Sequence, residues 1–178
     1  MKNRRAVFLD RDGVINRAFI RGGKPYPPKK VGEVEILPGV YKALMALKEA
    51  GYLLIVITNQ PDVARGTIAK DSVEEINSYL SKELPLDDIR SCYHDDHDNC
   101  RCRKPLPGAL LIAANEHCID MSESFMIGDR WKDIEAGTQA NCATFFIDYG
   151  YDEKRPIGFF SCVSSLYEAA TIILENQK

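Results

Sequence analysis

The chain has 178 residues, 45% of them hydrophobic and 28% charged, with a formal net charge of −3. That length suits one domain with a real core, and that balance suits a soluble globular chain, not a disordered one. A net negative charge gives no general attraction to nucleic acid or to an anionic membrane, and no apolar stretch approaches the roughly 18 residues of a membrane span.

In chain order, Ala6–Leu9 is a short, wholly apolar run of the kind expected for a strand covered on both faces, and it ends in Asp10-Arg11-Asp12-Gly13. Asn16 to Pro38 reads as a long irregular connection, rich in glycine and proline, with the basic residues Arg17, Arg21, Lys24, Lys29 and Lys30. A connection of that length is functional or disordered, and leaving from the first strand it should lie over that strand's end. Val40, Leu44 and Leu47 recur at helical spacing and stop at Gly51, a helix-ending signal. A second strand, Leu53–Ile57, leads into Thr58-Asn59-Gln60. Val73, Ile76 and Leu80 predict a helix, with Ser72-Val73-Glu74-Glu75 read as its capping box. Ile89–Tyr93, Phe125–Ile127 and Ala143–Ile147 are further strands. Pro107 to His117 and Leu166 to Glu175 are further helices, the first opening on proline.

This alternation predicts an α/β fold: a Rossmann-like three-layer sandwich around a mainly parallel sheet, with right-handed crossovers and one unit spanning residues 1–178. Ligands in such sheets bind at the carboxyl ends of the strands. Asp10, Thr58, Lys104 and Asp129 all follow or lie near predicted strand ends, so four distant segments are expected to meet in one crevice. Asp-x-Asp-Gly alone is also common in turns and calcium loops. Its place directly behind a buried strand, with three partner motifs downstream, points to chemistry instead.

Three of the six cysteines crowd together with a histidine as Cys92-x-His94-x5-Cys100-x-Cys102, around the polar run Asp95-Asp96-His97-Asp98-Asn99. Three thiolates and an imidazole satisfy a closed, tetrahedral structural Zn²⁺ site, with His97 a second candidate for the imidazole. A disulfide framework does not fit a chain of this size without an export signal. The basic, then strand-like first ten residues lack a signal-peptide cleavage site, so a cytoplasmic location is expected.

Asp10-Arg11-Asp12-Gly13, Thr58-Asn59-Gln60, Cys102-Arg103-Lys104-Pro105 and Gly128-Asp129-Arg130-Trp131-Lys132-Asp133, in this order, resemble the haloacid dehalogenase superfamily of aspartate-dependent phosphohydrolases. The zinc loop joined to Lys104 is similar to a small branch of that superfamily with no separate cap domain. The resemblance covers about Val7 to Asp148. It implies that Asp10 is a nucleophile forming an aspartyl-phosphate and that Asp12 is the general acid and base. It further implies that Thr58 and Lys104 steady the transferring phosphoryl group, and that Mg²⁺ is held by Asp10, Asp12 (through its carbonyl), Asp129 and Asp133. The partner implied is a small phosphorylated metabolite, taken by a monomer. A heptose 1,7-bisphosphate losing its 7-phosphate is expected ahead of histidinol phosphate, and a nucleic-acid end or a silent binding module comes last. Val63-Ala64-Arg65-Gly66 looks like the heptose side of the branch, whereas the short zinc loop is similar to the histidinol side and Pro61-Asp62 departs from the small-residue pair usual there. Expected substrate contacts are Asn59, Gln60, Arg65, Arg103, Arg17 and Arg21.

Overall fold

Hydrophobic runs too short for helices become the strands of one sheet in the computed structural model, which describes residues 4–176; the ends of the expected 1–178 unit lie outside the described residues. In order come β1 (Ala6–Leu9), a hairpin of β2 (Phe19–Arg21) and β3 (Lys24–Tyr26), α1 (Val40–Glu49), β4 (Leu53–Asn59), α2 (Lys70–Glu83), β5 (Asp88–Cys92), α3 (Gly108–His117), β6 (Phe125–Gly128), α4 (Trp131–Gln139), β7 (Ala143–Ile147), β8 (Ser161–Val163) and α5 (Leu166–Glu175). The main sheet has six strands in the order β5-β4-β1-β6-β7-β8, with every pairing parallel.

The pleat divides the core. Val7 and Leu9 of β1 face one layer with α1, α2 and α5, through Leu44, Leu47, Ile76, Leu80, Leu166 and Ile173. Ala6 and Phe8 face the other, with α3 and α4, through Leu110, Ala113, Ala136 and Ala140. Alternate residues of a strand point to opposite faces, so a strand with no polar position must be covered twice. Helices of both layers are cut to length by local signals. Gly51 ends α1 at φ 87°, with its N–H donating to the Lys48 carbonyl at 2.9 Å.

The chain runs from β1 out to β5 on one side, then returns to β6 and continues to β8 on the other. The switch point therefore opens above the ends of β4, β1 and β6. Parallel sheets of this kind bind ligands there.

Four local expectations change. The irregular Asn16–Pro38 stretch contains the β2–β3 hairpin and a short 3-10 turn at Val31–Glu33. The hairpin strands are exposed or half-buried, so they carry no buried alternation to read. Helix α2 starts at Lys70 behind Ala69 with no side-chain cap, which puts Ser72 inside its first turn instead of at its start. Helix α4 and edge strand β8 were not anticipated: β8 has three residues and a single buried one, and α4 begins inside the Gly128–Asp133 motif. Among the described residues no helix is long and apolar enough to cross a membrane.

Helix α4 lies very close to the sheet at Gly137, where an added Cβ would come within 2.6 Å of Met126 Cβ and 2.7 Å of Thr144 Cγ2. Alanine gains up to about 1 kcal/mol in helix propensity over glycine, but overpacking costs about 1–3 kcal/mol. The clash wins: Gly137→Ala should lower the urea midpoint, and Gly137→Val should lower it further. A midpoint raised by Gly137→Ala would show that α4 can move off the sheet freely.

Candidate active site

Three parallel strand ends deliver the site. Asp10 follows β1, its N–H donating to the Ile127 carbonyl at 2.9 Å, and so it prolongs the ladder with β6. Thr58 and Asn59 are the last residues of β4, and Asp129 follows β6. Asp133 stands one turn into α4, where its Oδ2 accepts from Arg130 N–H at 3.0 Å and caps the helix. Carboxylates at helix N-termini are favoured by the unpaired amides there.

Asp10, Asp129 and Asp133 are all buried, and each offers an oxygen within 4.8 Å of the others'. One buried ammonium pairs with two of them. Lys104, 2% exposed, places Nζ 2.8 Å from Asp10 Oδ1, 2.6 Å from Asp133 Oδ1 and 2.6 Å from the Ile57 carbonyl. Burial pushes the Asp10 carboxyl up; Lys104 opposes, Asp133 and Asp12 add to the rise, and the result is about 6. Asp129 is raised well above its ordinary range by burial, then by Asp10 and Asp133. Its Oδ1 is buried with no hydrogen-bond partner among the described residues. Hard oxygen donors, excess negative charge and an orphaned carboxylate oxygen fit a divalent cation such as Mg²⁺. Asp10 and Asp129 have the freer oxygens, since both of Asp133's already accept bonds from Lys104 and Arg130.

The Asp12 carboxylate lies apart from this cluster. It accepts from Arg11 Nε (3.2 Å) and Nη2 (3.0 Å), Asn16 Nδ2 (2.9 Å) and Gln60 Nε2 (2.8 Å). Any share of Asp12 in holding a cation falls to its backbone. Arg11 is fully buried and also donates to Asn77 Oδ1 at 2.9 Å. Thr58 accepts from Gln60 Nε2 at 2.9 Å. Asn59 clasps the Lys104 backbone twice, donating to its carbonyl at 2.9 Å and accepting from its N–H at 3.1 Å.

The cleft over these groups is lined by Asp10, Asp12, Thr58, Asn59, Lys104 and Asp133, with Pro25, Tyr26 and Pro27 of the hairpin segment and with Arg130 and Lys132. The expectation that the Asn16–Pro38 stretch covers the first strand's end is met by those hairpin residues. Several expected substrate contacts are engaged elsewhere. Arg65 forms a two-pronged pair with Asp95, both contacts at 2.6 Å, and Arg17 pairs with Glu35 at 2.7 and 2.8 Å. Arg21 sits on the hairpin with its guanidinium 5.6 Å from the Tyr26 ring centre. Gln60 is buried behind the cleft, holding Asp12 and Thr58. Arg103 donates to Asp96 at 2.8 Å and lines an adjoining hollow with Asp95 and Asp96. Residues that sequence reading passed over are Arg11, Tyr26, Arg130 and Lys132. The last two stand inside the Gly128–Asp133 run, and a helix starting there is the signal that would have turned them toward the cleft.

Eleven residues, from the last of β5 into the loop behind it, gather the soft ligands. Cys92 Sγ lies 3.5 Å from His94 Nδ1 and 3.7 Å from Cys100 Sγ; Cys102 Sγ lies 3.3 Å from Cys92, 3.6 Å from Cys100 and 3.4 Å from His94 Nδ1. A tetrahedron with 2.3 Å metal–sulfur arms has edges of about 3.8 Å. The four groups are thus close to the spacing of one ion, and His94, not His97, is the imidazole in the cluster. Burial raises the Cys92 thiol, and its sulfur neighbours raise it further. A metal would reverse that by binding thiolates.

A protein-family model described as haloacid dehalogenase-like hydrolase matches residues 26–141. The chain belongs to that family and is an enzyme, a phosphatase. Among its relatives is the D-glycero-beta-D-manno-heptose-1,7-bisphosphate 7-phosphatase of Helicobacter pylori, 36% identical over 91% of this chain and 94% of that protein. The D-glycero-alpha-D-manno-heptose-1,7-bisphosphate 7-phosphatase of Campylobacter jejuni is 34% identical over 97% of each. The crystal structure of D,D-heptose 1,7-bisphosphate phosphatase from B. bronchiseptica, complexed with magnesium and phosphate, superposes with a TM-score of 0.82 at 27% identity, covering 97% of this chain and 99% of that one.

Linkage gives the carboxylate cluster a test. The Asp10 carboxyl is raised from 3.8 to about 6, so the folded chain holds a proton that the unfolded chain has released between those values. Its contribution is fully present below 3.8 and is lost as pH rises through about 6. A cation takes the proton's place. The rise in thermal midpoint produced by millimolar Mg²⁺ should be small near about pH 4.5, grow through about pH 6 and level off above it. A rise that shrinks with increasing pH would rule out these carboxylates as the binding groups.

Proposed function

We propose that the chain, acting as a single unit over residues 1–178, hydrolyses the 7-phosphate of D-glycero-D-manno-heptose 1,7-bisphosphate through a phosphorylated Asp10. The observation that carries this is the Asp10–Lys104–Asp133 constellation beside Asp129, in a chain whose relatives bear that substrate in their names.

Asp10 keeps one oxygen on Lys104 and attacks phosphorus with the other, while Asp12 gives its proton to the departing sugar oxygen. Water then loses a proton to Asp12 and attacks the aspartyl-phosphate, which releases phosphate and restores both carboxyl groups. Arg11, Asn16 and Gln60 hold Asp12 in one orientation for both steps. Thr58 supplies a fixed donor to the phosphoryl oxygens, and the buried charge of Lys104 balances the negative charge gathered on Asp10 and the phosphate. A Mg²⁺ held by Asp10, Asp129 and the Asp12 carbonyl, with Asp133 alongside, would offset the repulsion between carboxylate and phosphate. Zn²⁺ on Cys92, His94, Cys100 and Cys102 would order the loop that ends in Lys104 and takes no part in bond making.

The second phosphate needs cations with donors left over from their ion pairs. Arg103 Nη1 is buried and unpartnered among the described residues, and Lys132 Nζ, in the cleft, is 3.9 Å from its carboxylate Asp96. These replace Arg17 and Arg65 as the basic groups for that end. Histidinol phosphate would need free carboxylates for its amine. Asp95 is taken by Arg65, Asp96 by Arg103, and Asp98 by the Asp95 N–H.

Asp10→Asn removes the nucleophile at constant volume and should cut kcat by at least about 1,000-fold with the fold intact. On the wild type, kcat/KM for both anomers of the heptose bisphosphate should exceed that for histidinol phosphate. A preference of more than about 100-fold for histidinol phosphate, nearly 3 kcal/mol in transition-state binding, would overturn the substrate. Elemental analysis of protein purified without added metal should find about one zinc per chain; zinc-free protein with full activity would remove that ion from the picture.

A further inference from the structure

The loop leaving β7 runs beyond the residues that the family model matches, yet its alternate residues reach the turns that carry the carboxylate cluster. Tyr149 Oη donates to the Gly13 carbonyl at 3.0 Å, Tyr151 Oη donates to Asp129 Oδ2 at 2.8 Å, and Glu153 grips the Arg130 guanidinium, with Nε at 2.9 Å. The two tyrosine rings stack with centres 5.6 Å apart and planes inclined by 28°, and Gly150 between them takes a left-handed φ of 68°. Each contact lands on one of the two turns that present Asp10 and Asp129.

The tyrosine bond separates the tasks of the two Asp129 oxygens. Oδ2 sits over Gly13, where a side chain is impossible: a Cβ there would lie 1.9 Å from that oxygen. Oδ2 is thus confined between the glycine and the tyrosine hydroxyl. Oδ1 is the buried, unpartnered oxygen. Without the hydroxyl the carboxylate is free to turn about its side-chain bonds and present either oxygen, or neither, to a cation. A neutral donor also differs from a lysine or arginine in this position, because it orients the carboxylate without cancelling the charge that binds metal.

We propose that Tyr151, steadied by its stack on Tyr149, is the positioning residue of the cation site, holding Asp129 with one oxygen committed and the other free for a hard divalent ion. The inference rests on the reading of the Asp10–Asp129 cluster as a Mg²⁺ site. Tyr151→Phe keeps the ring and removes only the hydroxyl. Mg²⁺ titrated into the full chain without substrate, followed by heat and by thermal midpoint, should show a dissociation constant raised about tenfold or more. The Mg²⁺ concentration for half-maximal phosphatase rate should rise in parallel, with kcat recovering as Mg²⁺ saturates. Tyr149→Phe should weaken Mg²⁺ by a smaller factor. A Tyr151→Phe protein that binds Mg²⁺ within about twofold of wild type would overturn the proposal, as would one whose midpoint falls without Mg²⁺ while its Mg²⁺ affinity stays the same. A wild type that binds no Mg²⁺ would remove the reading of the cluster as well, whereas normal wild-type binding with an unaffected variant would remove the tyrosine's role alone.

Discussion

The Lys104 ammonium sits in the interior with three acceptors, Asp10, Asp133 and the Ile57 carbonyl, and through them joins the ends of β1 and β4, the start of α4 and the loop that carries it. An ammonium has three protons to donate, and all three have partners here. Burial acts to lower this lysine and the two carboxylates outweigh it, so its affinity for the proton is raised and the charge is kept. Taking the ammonium away would leave the buried Asp10 and Asp133 carboxylates without their counter-charge, and breaking a buried pair costs about 3–5 kcal/mol in typical proteins. The catalytic end of the sheet is therefore an electrostatic unit whose members depend on one another more than on their own secondary structure.

That unit is deliberately short of positive charge. Asp10, Asp129 and Asp133 face one lysine, which leaves a deficit that only protons or a cation can fill. The same deficit would stop phosphate from approaching, so binding of the ion and entry of the substrate are coupled through charge. The Asp12 carboxylate, held by Arg11, Asn16 and Gln60, stands apart from these three, and in the proposed reaction it is the group that moves protons. Separating the groups that hold charge from the group that moves a proton is a matter of which donors each carboxylate meets, not of the carboxylates themselves.

The position of Lys104 is in turn inherited from the soft-ligand loop. Cys102 is two residues upstream, Asn59 clasps the lysine backbone, and Asp95 and Asp96 tie the intervening turn to Arg65 and Arg103. An irregular segment has few backbone hydrogen bonds of its own, so a clasp and ion pairs substitute for them. Over the opposite lip, the β2–β3 hairpin and the residue after it contribute Pro25, Tyr26 and Pro27 to the cleft.

Much of this is legible in one dimension. Short apolar runs specify strands, and a polar motif directly behind three of them places Asp10, Thr58 and Asp129 at one edge; the ligand spacing of Cys92, His94, Cys100 and Cys102, with Lys104 two residues on, is likewise local. What sequence could not carry is the choice of partner. Arg65 and Arg17 are as cationic as Lys132, but carboxylates 30 and 18 residues away claim them in two-pronged pairs. Helix α4 was hidden because its first turn lies inside the polar Gly128–Asp133 run, and the hairpin because its strands are not buried. The tyrosines behind Asp129 lie 20 and 22 residues further along, in a loop with no periodic pattern. Hydrophobic period and turn chemistry act over a few residues and so can be read along the chain. Hydrogen bonds and ion pairs act over a few ångströms, and only the folded sheet decides which residues are that close.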